Sequence, residues 1–477
     1  MNYPIGALAI GLGCSMALAG PGVDTMSDQE LRDMVFELKS EVDSLRSEQD
    51  TTWLTEQRAE QVRGLVADVL ADADTRAALQ GSGMTSGYDK GFFLSSSDGN
   101  WLMKINYQLQ VRWLYNDASD QSSSHGFEIR RSKLKFKGHI VDPSWGYALT
   151  IASNRSDVQF GSNLHSANLN LGNAYINKKL DNDMYIRVGQ FKAPFLREEL
   201  VSSTRQLAVD RSIINNAFTW TFSQGAMLGW SNDNLKIEAM YNEGPNNVNT
   251  QASTLNGKQG ITARVEYLLG EGSDWGMFGG LNARNTNGKS GFMLGAALGW
   301  FNGGSTQVQE YGNGDVARSL AWTVDGTYMG DRWTVFSYIA WAEGKNRYNR
   351  SRNNTTGFNG PTGRTGQNSW GWVIQGGFLI QDDLELFSRY EMGHIKHGVS
   401  EGGLPNDDLI AMTIGGNWFI NNNLKLTMDW GYSFNPVTDD GNAPTSADYT
   451  SSGTGWRADT LDNEGQWLLR AQLQLLF

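Results

Sequence analysis

Residues 127–140 read F-E-I-R-R-S-K-L-K-F-K-G-H-I, and this stretch indicates the fold. Successive side chains on a β-strand point to opposite faces. One face would carry the basic residues Arg131, Lys133, Lys135, Lys137 and His139. The other would carry Leu134, Phe136 and Ile140. Cations in a row need water, so an apolar face behind them favours the wall of a membrane barrel with lipid outside and a wet lumen inside. The alternative is the edge strand of a soluble sheet, protected by lysines.

The same alternation recurs along the rest of the chain. In residues 101–113 one face carries Trp101, Met103, Ile105, Tyr107, Leu109, Val111 and Trp113, and the other carries Lys104, Asn106, Gln108, Gln110 and Arg112. Similar segments lie at 145–153, 168–177, 184–190, 224–231, 234–242, 259–268, 291–301, 318–329, 332–342, 369–380, 383–393, 408–419, 423–433 and 464–477. Together they make about sixteen strands, an even number as in bacterial outer-membrane barrels. The sequence therefore predicts an all-β fold over residues 95–477, a sixteen-stranded antiparallel transmembrane β-barrel.

The lengths of the connections support this count, because short periplasmic turns and long outer loops must alternate in such a barrel. Tight turns are predicted at residues 142–143, 181–183, 232–234, 330–331, 381–383 and 421–423. A strand between Leu269 and Ser290 would move the turn at Gly330-Asp331 to the outer side. We therefore interpret Leu269 to Ser290 as one long periplasmic connection.

Composition excludes several other classes of protein. The 477 residues include 56 Gly, 17 Trp, 16 Tyr and 20 Phe but only 9 Pro, which is typical of a barrel with aromatic girdles. Beyond the N-terminus no apolar run is long enough for a membrane-spanning helix. The formal net charge of -12 argues against nucleic-acid binding, which would need a basic excess.

The N-terminal region divides into three predicted parts. Residues 1–19 resemble a signal peptide, with an apolar segment before Ala17-Leu18-Ala19. The single cysteine, Cys14, lies in that segment, so the mature chain would have no thiol. Residues 27–80 are predicted to form a periplasmic helical or coiled-coil segment, and residues 81–94 a flexible linker. The heptad positions are Leu31, Val35, Leu38, Val42 and Leu45. Such a segment would pack against the barrel mouth, help an oligomer to assemble or reach the cell wall.

Three stretches resemble the phosphate-selective porin family, porins O and P. They are residues 127–138, Y-I-R-V-G-Q-F-K-A-P-F-L-R-E-E-L-V-S-S at 185–203, and V-D-R-S at 209–212. The resemblance implies a sixteen-stranded outer-membrane barrel, usually a homotrimer, that conducts small anions and in some members prefers phosphate or polyphosphate. The N-terminal helices depart from the best-known members of the family.

The third outer loop, from Gln190 to Thr221 by our count, is expected to fold into the lumen as in porins of this kind. Its candidate anion-pathway residues are Lys192, Arg197, Ser202, Ser203, Arg205 and Arg211. An anion that leaves water needs replacement donors and a nearby positive charge. Arginine suits phosphate because its planar fork donates two hydrogen bonds.

Further candidate anion-pathway residues lie on the predicted strands: Lys104, Arg112, Arg131, Lys133, Lys135, Lys137, Arg187 and Arg264, together with Arg470. Glu266, Asp325, Glu391 and Asp429 would oppose them. Each cation has an alternative role as a partner in the Arg/Glu ladders that brace porin walls.

These features predict a passive outer-membrane porin that prefers anions, with no catalytic residues, cofactor or metal. One rival function is a general or sugar porin, in which Trp220 and Tyr175 would stack on the substrate. Another is a structural envelope protein that tethers the outer membrane to the cell wall through the N-terminal coil.

Overall fold

The computed structural model describes residues 28–52, 63–64, 66, 83–118, 122–154, 169–245, 249, 259–270, 273–286, 289–302, 318–345, 368–395, 408–435, 437, 454–457 and 465–477. The chain forms two compact units, Met1–Gly81 and Ser82–Phe477. In the first unit, helix α1 covers Asp28–Thr52 and exposes Val35, Leu38 and Val42. The predicted signal peptide lies outside the described residues, as does most of the second predicted helical segment. Where the structure is described, no helix is long and apolar enough to cross a bilayer.

Sixteen antiparallel strands form a closed barrel in the second unit, as the alternating pattern predicts. They are β3 (Leu102–Ala118), β4 (Ser124–His139), β5 (Trp145–Asn154), β6 (Asn170–Lys179), β7 (Met184–Lys192), β8 (Phe222–Ser231), β9 (Leu235–Asn242), β10 (Gln259–Leu269), β11 (Gly291–Asn302), β12 (Arg318–Met329), β13 (Trp333–Lys345), β14 (Asn368–Gln381), β15 (Leu384–His394), β16 (Asp408–Phe419), β17 (Leu424–Ser433) and β18 (Gln466–Leu476). Each strand pairs with the next, and β18 pairs with β3 from Gln466↔Ala118 to Leu476↔Gln108. Closure leaves no unpaired strand edge, as a membrane barrel requires.

The connections alternate in length as predicted, except that β3–β4 is short and β10–β11 is long, so the barrel has a short-turn end and a long-loop end. The tight turns between β4 and β5 and between β6 and β7 occupy residues 140–144 and 180–183. Between Leu269 and Ser290 the described residues contain two 3-10 turns, Met277–Gly279 and Ala283–Thr286, and no strand. The prediction of a single connection there is confirmed.

The outer face of the barrel is apolar and carries aromatic side chains at two levels. Exposed Trp145, Trp333 and Trp418 lie at the ends of their strands near the short turns. Exposed Phe127 and Tyr241 lie near the long loops. Two such girdles bound the apolar band of an outer-membrane barrel because aromatic rings favour the membrane interfaces.

Residues 84–96, most of which were predicted to belong to a flexible linker, instead form a hairpin, so that prediction is wrong. Strands β1 (Met84–Tyr88) and β2 (Phe92–Ser96) pair with each other, and β2 also pairs with Leu102–Ile105 of β3. Strand β3 begins at Leu102, six residues before its pairing with β18 starts at Gln108. The hairpin covers the part of the β3 edge that β18 does not reach. The ring of the C-terminal Phe477 packs 6.1 Å from Phe92 and 5.4 Å from Tyr107.

A β-bulge in β4 corrects the predicted alternation of residues 127–140. The register with β3 shifts between Gln110↔Arg131 and Val111↔Ile129, so Arg130 is an extra residue. Before the bulge, Phe127 and Ile129 are 81% and 59% exposed on the outer face. Because a bulge changes which face a residue occupies, odd positions face lipid before it and the lumen after it. As a result, both Arg130 and Arg131 point inward and form ion pairs with Asp210.

Candidate functional site

The connection between β7 and β8, residues 193–221, packs inside the barrel and is called the inner loop here. It contains helix α2 (Arg197–Leu200), a 3-10 turn (Ser203–Arg205) and helix α3 (Ile213–Phe218). Ser212 begins α3, and its hydroxyl accepts a hydrogen bond from the backbone N–H of Asn215, which is the usual role of a serine N-cap. Most of the apolar side chains of the loop are buried among inward-facing residues of the strands.

Polar side chains of the barrel wall satisfy the backbone of the inner loop. On β17, Asp429 accepts a 2.9 Å hydrogen bond from the N–H of Val209. On β15, Glu391 accepts bonds of 2.6 and 3.2 Å from the N–H groups of Ile213 and Ile214. Three side-chain amides of the wall donate instead to backbone carbonyls of the loop. They are Gln110 on β3, which bonds to Ser203, Asn417 on β16, which bonds to Leu207, and Gln474 on β18, which bonds to Thr204. Because buried backbone groups need partners, these contacts fix the loop against the wall formed by β15–β18 and β3.

Asp210 is the ionic centre of the inner loop. Its carboxylate pairs with Arg112, with Arg131 at 2.6 Å and with Arg130 at 3.1 Å. Burial by itself would raise the pKa of Asp210, but Arg130, Arg131 and Arg112 hold this pKa well below its usual range. Asp210 therefore stays ionised and ties β3 and β4 to the loop.

The connection between β10 and β11 also enters the barrel, although the sequence predicted only a periplasmic connection. Residues 273–286 of this connection are called the crosspiece. The N–H of Leu281 donates 2.9 Å to the carbonyl of Arg205 in the inner loop, and Arg197 donates to the carbonyl of Phe278. On the far side the N–H of Ala283 donates 2.8 Å to Glu385 of β15. The crosspiece thus runs beneath the inner loop, contacts β12 and β14, and reaches β15 on the wall.

Seven of the predicted pathway cations pair with carboxylates. This is the alternative role predicted for them, in which they brace the barrel wall. Arg112, Arg131 and Arg264 are buried, and Arg264 is held by Asp325 at 2.8 Å and by Glu266 at 2.8 Å. These three are structural partners beneath the inner loop and do not line open space. The partly exposed members are Lys104, Lys192, Arg197 and Arg211, which pair with Asp89, Glu199, Glu266 and Glu199. Arg470 is likewise paired, with Asp429.

The two serines predicted as anion donors are also engaged within the loop. The Ser202 hydroxyl accepts from the N–H of Thr204, and the Ser203 hydroxyl accepts a 2.9 Å bond from Gln108 of β3. Their hydroxyl groups therefore help to hold the 3-10 turn in place.

Lys133, Lys135 and Lys137, called the lysine strip, lack carboxylate partners among the described residues. Lys135 donates 2.9 Å to Gln108, while Lys133 and Lys137 contact neither a carboxylate nor a side-chain acceptor in the described part of the chain. Lys133 follows Arg131 on the same face of β4, and Lys137 is the cross-strand partner of Lys104 on β3. The strip is therefore a region of uncompensated positive charge.

Part of the open space of the barrel lies along β6–β9. A cavity of about 880 Å³ is lined there by Tyr175, Arg187, Lys192 and Arg197, among others. Trp220, which a sugar porin would use for stacking, is only 1% exposed and packs 5.7 Å from Phe195, so that proposed role is wrong. Tyr175 is covered by the guanidinium of Arg187, 4.5 Å above its ring.

Several residues that bind the inner loop were not predicted from the sequence. Arg130 was assigned to neither face because a bulge has no sequence signal of its own. Arg389 and Lys425 bond to the inner-loop carbonyls of Asp210 and Gln206, and each lies on an alternating strand where its inward position could have been read. Among the described residues no group of three or more His, Cys, Asp or Glu is arranged to hold a metal ion.

Comparisons with known proteins agree with this geometry. A family model described as phosphate-selective porin O and P matches residues 103–454. No curated protein matches the chain. The structure is similar to OmpF of Salmonella typhi in complex with daunomycin, with a TM-score of 0.50, 14% identity, and coverage of 82% of this chain and 100% of that one. It is also similar to an anion-selective porin from Comamonas acidovorans, with a TM-score of 0.49, 11% identity, and coverage of 79% and 99%. At these identities the likeness to OmpF shows the porin fold alone.

Proposed function

Because the chain belongs to the phosphate-selective porin O and P family, we propose that it is a bacterial outer-membrane channel that passively conducts small anions of the phosphate or polyphosphate type. A closed barrel and membership of a porin family support transport rather than catalysis. In the orientation usual for such barrels, the long loops face outward and the short turns face the periplasm. The N-terminal unit would then be periplasmic.

The lysine strip is the observation that carries this proposal. A unit charge pair about 4 Å apart gains about 4 kcal/mol at an effective dielectric near 20. Cations already neutralised by a carboxylate offer an anion much less, so Lys133, Lys135 and Lys137 supply most of the attraction. Three cations in series also allow an anion to pass from one to the next without being trapped at a single site.

The inner loop and crosspiece support a narrow route. Most of their hydrogen bonds and ion pairs to the wall are made with β10, with β15–β18 and with β3 and β4, and a cavity remains along β6–β9. A solute would enter between the long loops, lose part of its hydration beside the inner loop at Lys192 and Arg211, and continue along the lysine strip. Lys192 and Arg211 share the single carboxylate of Glu199, which leaves this point of the route positive.

The proposal is tested by reversal potentials of single channels in a planar bilayer under a KCl gradient, together with block by phosphate. The wild type should prefer chloride, and Lys133→Glu combined with Lys135→Glu should lower that preference. A matched control is Lys178→Glu with Lys289→Glu, which makes the same change in total charge. Lys178 lies over Trp145 and Lys289 pairs with the exposed Asp274, so neither belongs to the strip.

Unchanged reversal potentials in the strip variant would show that these lysines do not govern permeation. Cation preference in the wild type would overturn the anion proposal altogether. A channel that stays closed would favour the structural envelope role, including tethering to the cell wall.

We also propose that the protein is a homotrimer and that α1 contributes to its assembly. Val35, Leu38 and Val42 follow heptad spacing and are exposed on the single chain. In a coiled coil, such a stripe is buried against copies of itself. Val35→Asp with Leu38→Asp should weaken trimers of the full chain in chemical cross-linking. Equal trimer yield would show that the barrel assembles without the coil.

A further inference from the structure

Arg187 of β7 differs from the arginines that brace the barrel wall. Among the described residues it forms no ion pair, and its Nε is buried without a hydrogen-bond acceptor. Glu238, an acidic side chain of the same cavity, is already occupied by Tyr185 and by Lys236 at 3.1 Å. An arginine that lines an open cavity without a carboxylate partner is suited to bind an anion from solution.

Aromatic rings hold the guanidinium of Arg187 in position. Its central carbon lies 4.5 Å from the ring centre of Tyr175, 5.3 Å from that of Phe191 and 5.6 Å from that of Tyr185. Cation–π contacts of this kind orient the guanidinium plane while its N–H edge remains able to donate. The guanidinium is therefore oriented so that it can donate a bidentate pair of hydrogen bonds to a carboxylate or phosphate group.

The neighbouring wall supplies groups that recognise hydroxyls. Asn177 of β6 is the direct cross-strand partner of Arg187 in the sheet register. Its Oδ1 is buried without a partner, and Asn173 lines the same cavity. Amide side chains both donate and accept hydrogen bonds, which suits hydroxyl groups rather than a bare inorganic anion.

The cavity is also large for an inorganic anion. Its volume of about 880 Å³ falls within the roughly 300–1,000 Å³ typical of pockets that bind organic ligands. We propose that this cavity binds a hydroxylated organic anion, with its phosphate or carboxylate group on the edge of Arg187 and its hydroxyls on Asn177 and Asn173. This inference rests on the proposed function and narrows the class of solute that the channel slows and selects.

The test is block of single-channel current by four added solutes: glucose 6-phosphate, gluconate, inorganic phosphate and glucose. In the wild type, glucose 6-phosphate or gluconate should block at a concentration at least about tenfold lower than either inorganic phosphate or glucose. A difference between the first two identifies whether a phosphate or a carboxylate is preferred.

Two substitutions locate the effect at Arg187. Arg187→Gln should raise the half-blocking concentration of the preferred solute by at least about tenfold, and Arg187→Lys should give an intermediate value because it keeps the charge but loses the planar fork. Lys179→Gln is the matched control, because it removes one positive charge from another residue that lines the same cavity and leaves the pair of Lys236 with Glu238 in place. We expect its effect to be less than about twofold. Heat-modifiable migration in SDS gels checks that each variant forms the barrel.

Equal block by all four solutes, or unchanged block in Arg187→Gln, would overturn the inference. Its failure is distinguishable from failure of the proposed function. An anion-preferring channel without selective block would retain the lysine strip and lose the Arg187 site. Selective block in a channel without chloride preference would retain the Arg187 site and remove the role of the lysine strip.

Discussion

Arg131 of β4 donates a 2.6 Å hydrogen bond to Asp210, which lies 79 residues later in the inner loop. Arg130 reaches the same carboxylate only because the bulge turns both arginines inward. This contact fastens the inner loop to the barrel wall from which the lysine strip continues.

Asp210→Asn should loosen the inner loop. The change leaves Arg112, Arg130 and Arg131 without their shared carboxylate, and loss of one member of a buried ion pair costs about 3–5 kcal/mol. We expect noisier single-channel currents and a lower temperature for loss of heat-modifiable migration. The control Asp89→Asn removes an exposed partner of Lys104 and should change little. Quiet, wild-type currents from Asp210→Asn would show that other contacts hold the loop.

Acid should release a second contact of the inner loop within a defined pH range. Burial by itself would raise the pKa of Glu199, but Arg211 and Lys192 lower it to about 2, from an ordinary value of 4.5. Its stabilising contribution is therefore complete above pH 4.5 and is lost as the pH falls toward 2. Current noise should stay constant from pH 7 to 5 and increase below pH 4.5. In Glu199→Gln the loop should be noisier at neutral pH, and the step below pH 4.5 should be absent.

Glu385→Leu should free the crosspiece from the wall. Glu385 accepts hydrogen bonds from the N–H of Ala283 at 2.8 Å and from Asn417 at 2.9 Å. Without them two buried donors lose their acceptor, each at a cost of about 1–3 kcal/mol. We expect larger conductance and more frequent current fluctuations, with Glu385→Gln between wild type and Glu385→Leu. A wild-type conductance in Glu385→Leu would indicate that the crosspiece does not narrow the route.

Gly138→Ala should disrupt pairing of β3 with β4. A Cβ at Gly138 would lie 1.7 Å from the backbone carbonyl oxygen of Leu102, and backbone in a sheet has little freedom to move away. The matched control on the same strand is Gly126→Ala, where a Cβ meets nothing within 4 Å. Thermal loss of heat-modifiable migration should occur at a lower temperature for Gly138→Ala than for Gly126→Ala. Equal temperatures would contradict the close approach of these two strands.

Much of the barrel could be predicted because membrane strands obey a local rule. Each residue faces lipid or lumen according to its position along the strand, so hydrophobic alternation records the strands directly. The parity of turns and loops then fixed the count, and it correctly excluded a strand between Leu269 and Ser290. The hairpin at residues 84–96 was missed because its Gly and Ser residues resemble those of a linker.

The candidate site was less predictable because it depends on contacts between distant residues. Positive charge on a strand reveals that a side chain needs water or a counter-ion, and it does not reveal which. Arg264 and Lys133 both face inward, yet Arg264 is enclosed by Asp325 and Glu266 whereas Lys133 lies opposite the neutral Gln108 and has no carboxylate partner among the described residues. Only the folded inner loop and the strand register separate these two cases.

The sequence by itself therefore determined the closed sixteen-stranded barrel and its apolar outer face, because those follow from periodicity and from the demands of lipid. The tertiary structure decided which cations are neutralised, that residues 273–286 enter the barrel, and that part of the open space lies beside Arg187. These outcomes depend on how two connections fold across the lumen, and the energy of an ion pair depends on distances that no local pattern contains.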